Sequence, residues 1–201
     1  MIITADAAEE IAQLGEMLHH GYLAHHAQTT VASHSDAASL APEIEDHQIV
    51  SVGYVDKTEG KPIEYSFPHF LKLAQDDPRV KAYSEQVWLA GALITLGDAL
   101  ESVEYLDHAP ILEMIYHLRN GVAHGNKFRF KASGIKRLEK FPAHNRDSYI
   151  KGADTKIFEI STALEGQPVL FDFMKAGDVA EHLLAVGFHA GQLMNRMLGK
   201  A

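Results

Sequence analysis

The sequence predicts a mainly α-helical fold, a bundle of four main helices with two β-hairpin insertions. Four long segments carry apolar residues at the spacings of three and four that mark one buried helix face. Two shorter segments, about 49–67 and 156–173, place strand-forming residues on either side of a polar turn. With 201 residues and 46% hydrophobic residues, the chain suits one core, so we expect residues 1–201 to form a single domain.

The first predicted helix covers residues 5–27, and Thr4 suits its N-cap position. Its apolar stripe consists of Ile11, Leu14, Leu18 and Tyr22. A connection rich in Ser, Ala and acidic residues follows over 29–46. The apolar stripe of residues 5–27 is typical of an amphipathic helix that packs one face on a core.

The first hairpin is predicted from two segments of strand composition, 49–55 and 63–67. A polar turn with Gly60 separates them, and a short helix over 68–75 is expected to follow. The second main helix is then predicted from Asp77-Pro78 to about residue 103, because proline is tolerated in the first turn of a helix.

The third main helix opens near Ala109 and carries a core face of Ile111, Ile115, Leu118 and Val122. Residues 127–152 are expected to be irregular and basic.

The second hairpin is predicted from 156–160 and 168–173, and the last helix from 177–198. The sequence leaves open whether the two hairpins pair into one small antiparallel sheet.

Composition excludes several classes of site. The chain has no cysteine, which excludes disulfides, thiolate zinc sites and a cysteine nucleophile. The first residues lack the features of a signal peptide, and the apolar run 87–97 is far shorter than the roughly 20 residues of a membrane span. We therefore expect a soluble, cytoplasmic protein with no membrane segment.

The net charge of −9 argues against a nucleic-acid partner when it is taken alone, but the charges are unevenly distributed. Residues 119–156 contain ten Lys and Arg against three acidic residues, whereas the remainder contains eight basic and twenty-four acidic residues. An acidic body with one basic segment can hold a polyanion locally. The alternative is a solvated loop rich in Lys.

The histidine pairs within residues 19–26 do not have the spacing of a metal site. On a helix, His19 and His26 share a face but stand about 10 Å apart, too far for one ion. His182 and His189 fail on the same geometry, and none of these pairs has the i, i+4 spacing of helical zinc ligands. We expect no metal and no other cofactor.

The third main helix ends in the segment Leu118-Arg119-Asn120-Gly121-Val122-Ala123-His124-Gly125. This set of groups suits chemistry on a phosphodiester, because Arg stabilises added charge and His moves a proton near neutral pH. On a regular helix, Arg119 and His124 point about 140° apart. Either the two glycines distort the helix end or a second copy of the chain completes the site; an exposed polar helix end is the alternative.

A polar stripe runs along the same helix, away from its core face. Its members, at spacings of four, three and four, are Glu113, His117, Asn120 and His124.

The segment Leu118-Arg119-Asn120-x-x-Ala123-His124 resembles the Arg-polar-x3-His signature of the HEPN superfamily (higher eukaryotes and prokaryotes nucleotide-binding). The four-helix prediction and the place of the motif on a late helix are similar to that fold. The hairpins and the basic segment depart from the minimal bundle and suggest a divergent branch, such as one from plasmids or other mobile elements.

The resemblance implies a metal-independent endoribonuclease, often a toxin or anti-phage effector with an antitoxin partner. It also implies a homodimer that joins two motifs in one cleft. On this interpretation the 2′-OH of the RNA attacks the phosphate, and His124 acts as base or acid. Arg119 holds the scissile phosphate, and Asn120 positions the phosphate or the imidazole.

Further RNA contacts are predicted for His117, Lys127, Arg129 and Lys131. Two other functions remain open at this point. The chain could be a catalytically silent module that binds RNA or nucleotides, or a helical interaction protein whose motif is incidental.

Overall fold

The computed structural model describes residues 3–40, 52–148 and 156–200. The chain is mainly helical, with a small two-stranded antiparallel sheet, as the sequence predicts. The helices are α1 (Ala5–Ala32), α2 (Phe67–Asp76), α3 (Pro78–Ser102), α4 (Pro110–Ala123), α5 (Ala132–Lys140) and α6 (Ala176–Met197). The strands are β1 (Val52–Val55) and β2 (Ile63–Ser66), and short 3₁₀ helices cover Ser35–Leu40 and Thr162–Leu164.

Two compact units make up the chain: one contains Met1–Leu23 and Gln86–Ala201, and the other contains Ala24–Glu85. In the second unit, β1 pairs with β2 so that Val52 lies opposite Ser66. The hydroxyl of Ser66 then caps α2, because it accepts a hydrogen bond from the His69 amide. The sheet and α2 are thus continuous in the chain, with one serine ending the strand and starting the helix.

The core of the first unit is formed by α1, α3, α4 and α6. Its largest fully buried side chains include Leu89, Leu93, Leu96, Leu100, Leu112, Met114, Ile115, Leu118 and Leu183. The predicted core face of α4 is confirmed, since all four of its apolar residues are buried. Two glycines let α1 approach α6 closely: a Cβ on Gly15 would lie 2.8 Å from the Gly187 nitrogen.

The first predicted hairpin is present, with Gly60 at φ +83° in its turn. The part of the prediction that covers 49–51 lies outside the described residues.

The second predicted hairpin, 156–173, is wrong, and the pairing of the two hairpins, which the sequence leaves open, therefore does not form among the described residues. Its two predicted strands bond to other segments. The Ile160 amide donates to the Ala143 carbonyl (2.9 Å), and the Phe128 amide donates to the Gln167 carbonyl (3.0 Å). The segments that follow α4 and α5 therefore supply the partners, as isolated bridges rather than a ladder.

The prediction of an irregular segment over 127–152 is also wrong in part, because α5 lies inside it. Leu138 of α5 packs against the core, while Arg137 reaches a carboxylate on α4. Tertiary contacts thus stabilise a nine-residue helix that would be marginal in isolation.

Within the described ranges, none of the helices combines the length and the apolar character that crossing a membrane requires.

Candidate functional site

The motif lies where α4 ends. His124 is the C-cap residue, with φ −103° and ψ 33°, and its amide donates to the carbonyls of Asn120 (3.1 Å) and Gly121 (3.3 Å). Gly125 (φ +84°) and Asn126 (φ 60°) then adopt left-handed backbone and turn the chain away. The helix therefore ends at His124, but this ending does not bring Arg119 and His124 to one point, because of these two residues only His124 lines the pocket beside it.

A close backbone contact and a pair of hydrogen bonds hold this turn against the segment 168–170. A Cβ on Gly121 would lie 2.4 Å from Cγ2 of Val169, so only glycine permits the observed packing. The Asn126 side chain accepts a hydrogen bond from the Leu170 amide (2.7 Å) and donates to the Leu170 carbonyl (3.2 Å). The end of α4 is thus held by close packing and by a two-bond clamp.

A pocket of about 220 Å³ opens beside the end of α4. It gathers five of the seven residues that the sequence predicts for the site: His117, Asn120, His124, Arg129 and Lys131. Its other walls are Tyr116, Phe128, Phe130, Ser133 and Gly134. A larger cavity of about 360 Å³ lies between α1 and α6, but it contains none of the predicted site residues.

Arg119 lies outside the pocket, on the side of α4 that faces α3. Its Nη2 is 2.5 Å from Oδ1 of Asp98 and 3.7 Å from Oε2 of Glu101. Its Nη1 donates to Oδ1 of Asn120 at 3.1 Å, and Asn120 lines the pocket. The hydrogen bond with Asp98 raises the pKa of the Arg119 guanidinium, so the cation is permanent. Asn120 is therefore the link between the guanidinium and the pocket.

The polar stripe of α4 is partly buried instead of exposed. Glu113 is fully buried, where its carboxylate accepts bonds from Nε (2.6 Å) and Nη2 (2.9 Å) of Arg137 and from the His108 ring (2.7 Å). The Arg137 guanidinium lies between the rings of Tyr105 and Tyr116, 4.4 and 4.2 Å from their centroids. This arrangement fixes α5 on α4 and so forms one wall of the pocket.

His117 lies further along that stripe and is 4% exposed. Burial lowers its pKa to about 4, so the imidazole is neutral near pH 7. Its Nε2 atom is buried and has no hydrogen-bond partner among the described residues.

Of the three remaining predicted cations, two line the pocket and one does not. Arg129 and Lys131 are exposed and line it, whereas Lys127 is exposed and does not. The backbone of Lys127 instead bridges to Pro168, and its amide donates to the Gly121 carbonyl (3.0 Å). Two of the three cations predicted to contact RNA therefore lie where the pocket opens.

Sequence reasoning missed the carboxylates that pair with Arg119 and the α5 residues that complete the pocket. Asp98 and Glu101 are three residues apart, on one face of α3, and that spacing was a usable signal. Ser133 and Gly134 gave no such signal, because their helix was not predicted.

In the part of the chain that the structure describes, no three His, Asp or Glu residues are grouped closely enough to hold a metal ion. Comparison with known proteins gave no matching family, no similar curated protein and no similar solved structure.

Proposed function

We propose that the chain is a metal-independent endoribonuclease of the HEPN type, acting at the pocket beside the end of α4. The observation that carries this proposal is the grouping of His124, Asn120 and His117 with two exposed cations, Arg129 and Lys131, in one pocket. The pocket lies in the segment where basic residues outnumber acidic ones by ten to three. Such a site offers a proton-transfer group and a local attraction for a polyanion.

The reaction we propose uses the 2′-OH of the RNA as nucleophile. His124 removes the 2′-OH proton while the 2′-oxygen bonds to phosphorus and the bond from phosphorus to the 5′-oxygen breaks. Protonation of the leaving 5′-oxygen completes the step, giving a 2′,3′-cyclic phosphate and a 5′-OH end. Arg119 would stabilise the added charge on the phosphate oxygens.

A homodimer is part of this proposal. In one chain the Arg119 guanidinium reaches the pocket only through Asn120. A second copy would bring a second His124, so that one imidazole acts as base and the other as acid. Residues from both copies would then act on one phosphate.

Binding of RNA without cleavage is the second candidate function. It is favoured by the contacts of Arg119, which Asp98 and Glu101 occupy in this structure. A guanidinium that stays with these carboxylates would leave a pocket that binds phosphate but lacks its main source of charge stabilisation.

The test is incubation of single-stranded RNA with the purified chain in EDTA, followed by analysis of the product ends. We expect cleavage to 2′,3′-cyclic phosphate ends, its loss in His124→Ala and Arg119→Ala, and its retention in the surface control His20→Ala. A 2′-O-methyl RNA should bind without being cut, because its nucleophile is blocked.

RNA that binds the wild-type chain but is never cut would overturn the nuclease and favour the second candidate. If no binding occurs even at low salt, both are wrong, because phosphate contacts must give salt-dependent affinity.

A further inference from the structure

The first turn of α5 opens onto the same pocket, through Ser133 and Gly134. Lys131 is the N-cap residue, in extended backbone (φ −72°, ψ 162°), and its side chain forms no cap. The first backbone hydrogen bond of the helix runs from the Ile135 amide to the Lys131 carbonyl (3.0 Å). The amides of Ser133 and Gly134 precede this bond and have no acceptor among the described residues. Free amides at a helix N-terminus favour an anion.

His117 gives a second and independent indication of a ligand. His117 lines the pocket and is 4% exposed. Its Nε2 atom is fully buried without a partner, so the ring can meet a ligand only through Nδ1, which forms no hydrogen bond with a described residue. A buried polar group without a partner is costly, so its presence points to an acceptor supplied from outside the chain. A neutral imidazole donates one N–H, which suits an anionic oxygen.

The nearby carboxylates are already engaged. Glu113 is paired with Arg137, and Oε2 of Glu165 accepts from the Phe130 amide at 2.8 Å. The groups that face the pocket from α5 and from the segment before it are therefore amide donors and the cations Arg129 and Lys131. A ligand with several anionic oxygens matches this set of donors better than any cation.

We propose that the first turn of α5 and His117 form a phosphate subsite for an RNA strand. Ser133 and Gly134 donate their amides, His117 donates its N–H, and the two cations neutralise charge. The inference rests on the proposed function, because the phosphate that binds here is the internal phosphodiester next to the one that His124 acts on.

The test is a ¹H–¹⁵N spectrum of the 22.2 kDa chain titrated with two probes at constant ionic strength. One probe is a 2′-O-methyl oligonucleotide without terminal phosphates, and the other is inorganic phosphate. We expect the amide signals of Ser133 and Gly134 to shift and saturate with the oligonucleotide. Shifts with inorganic phosphate alone would overturn the assignment to an internal diester, and the absence of shifts with both probes would overturn the subsite.

Two variants probe the donors without unfolding the helix. Ser133→Asp places a carboxylate in the first turn, where it stabilises α5 but repels phosphate, so we expect about a tenfold loss of oligonucleotide affinity. Ser84→Asp makes the same change of charge at an exposed position of α3 and should leave affinity unchanged. His117→Phe should weaken binding while the melting temperature stays equal or rises, because it removes an unpartnered buried nitrogen.

These experiments distinguish an error in the proposed phosphate subsite from an error in the proposed nuclease activity. The 2′-O-methyl probe cannot be cut, so its binding does not require catalysis by His124. If the wild-type chain never cuts RNA but the Ser133 and Gly134 amides still shift, the nuclease is wrong and the subsite stands. If RNA is cut while these amides do not respond, or if His117→Phe and Ser133→Asp bind as tightly as wild type, the subsite is wrong.

Discussion

Replacing Arg137 by Met should destabilise the protein by about 3 kcal/mol, because the change leaves the Glu113 carboxylate buried without its cation. Breaking a buried pair from one side typically costs about 3–5 kcal/mol. The lower end applies here for two reasons. The Arg137 side chain is 24% exposed, so water can partly replace it, and His108 still donates to Oε1 of Glu113.

The assay is urea unfolding of Arg137→Met, Glu113→Gln and the double variant. We expect the double variant to recover part of the loss, since it removes the uncompensated charge together with its partner. Arg146→Met is the matched control: its partner is Glu159 and both side chains are 54% exposed, so the cost should stay below about 1 kcal/mol. A loss below about 1 kcal/mol in Arg137→Met would refute the view that this pair fixes α5 on α4.

Two further predictions concern histidine titration and helix contact. The pKa of His117 is about 4 in the folded chain and about 6.5 when unfolded, so only the unfolded chain takes up this proton between those values. Stability should therefore fall as pH drops from 6.5 toward 4, by at most about 1.4 kcal/mol per pH unit for this residue. Urea unfolding at pH 7 to 5 should show a shallower slope in His117→Phe, and equal slopes would contradict the assignment. In α3, Gly97→Ala should lower cleavage and stability, because its Cβ would lie 2.6 Å from Cγ of Arg119. Gly91→Ala, which meets no atom within 4 Å, should stabilise the helix by up to about 1 kcal/mol, and unfolding and cleavage assays on both variants check the difference.

The elements that the sequence predicted correctly are those whose signals are local. The stripe of Ile111, Ile115, Leu118 and Val122 has helical spacing, and these four side chains are indeed buried. The second hairpin failed because strand-forming composition does not name a partner. Residues 156–160 had the right composition, but their hydrogen bonds go to the loop after α5. Partner choice depends on contacts that are distant in sequence.

In the candidate site, too, the features that are local in sequence were predicted and those that depend on distant segments were not. Asn120 and His124 are close in sequence, and both line the pocket. The environment of Arg119 depends on two residues of α3, Asp98 and Glu101, which lie 21 and 18 residues earlier, and these carboxylate partners were not predicted. Helix α5, which forms one wall of the pocket, was not predicted. It is held in place by the ion pair between Arg137 and the buried Glu113, and no sequence spacing rule connects these two residues.

The carboxylates around Arg119 do not by themselves decide between cleavage and silent binding. Asp98 is 53% exposed and Glu101 is 64% exposed, so the ion pairs lie in a well-solvated setting. Exposed pairs of this kind typically contribute about 0–1 kcal/mol. Asp98 itself already accepts two bonds from the guanidinium, from Nε (2.9 Å) and Nη2 (2.5 Å), so a phosphate that makes two bonds would exchange with a contact of the same kind. In the free chain the same carboxylates orient Arg119 beside Asn120, where the guanidinium lies one hydrogen bond from the pocket. Arg119 is thus held close to the pocket by a contact that a phosphate can exchange with, and assays of RNA cleavage decide whether it does so.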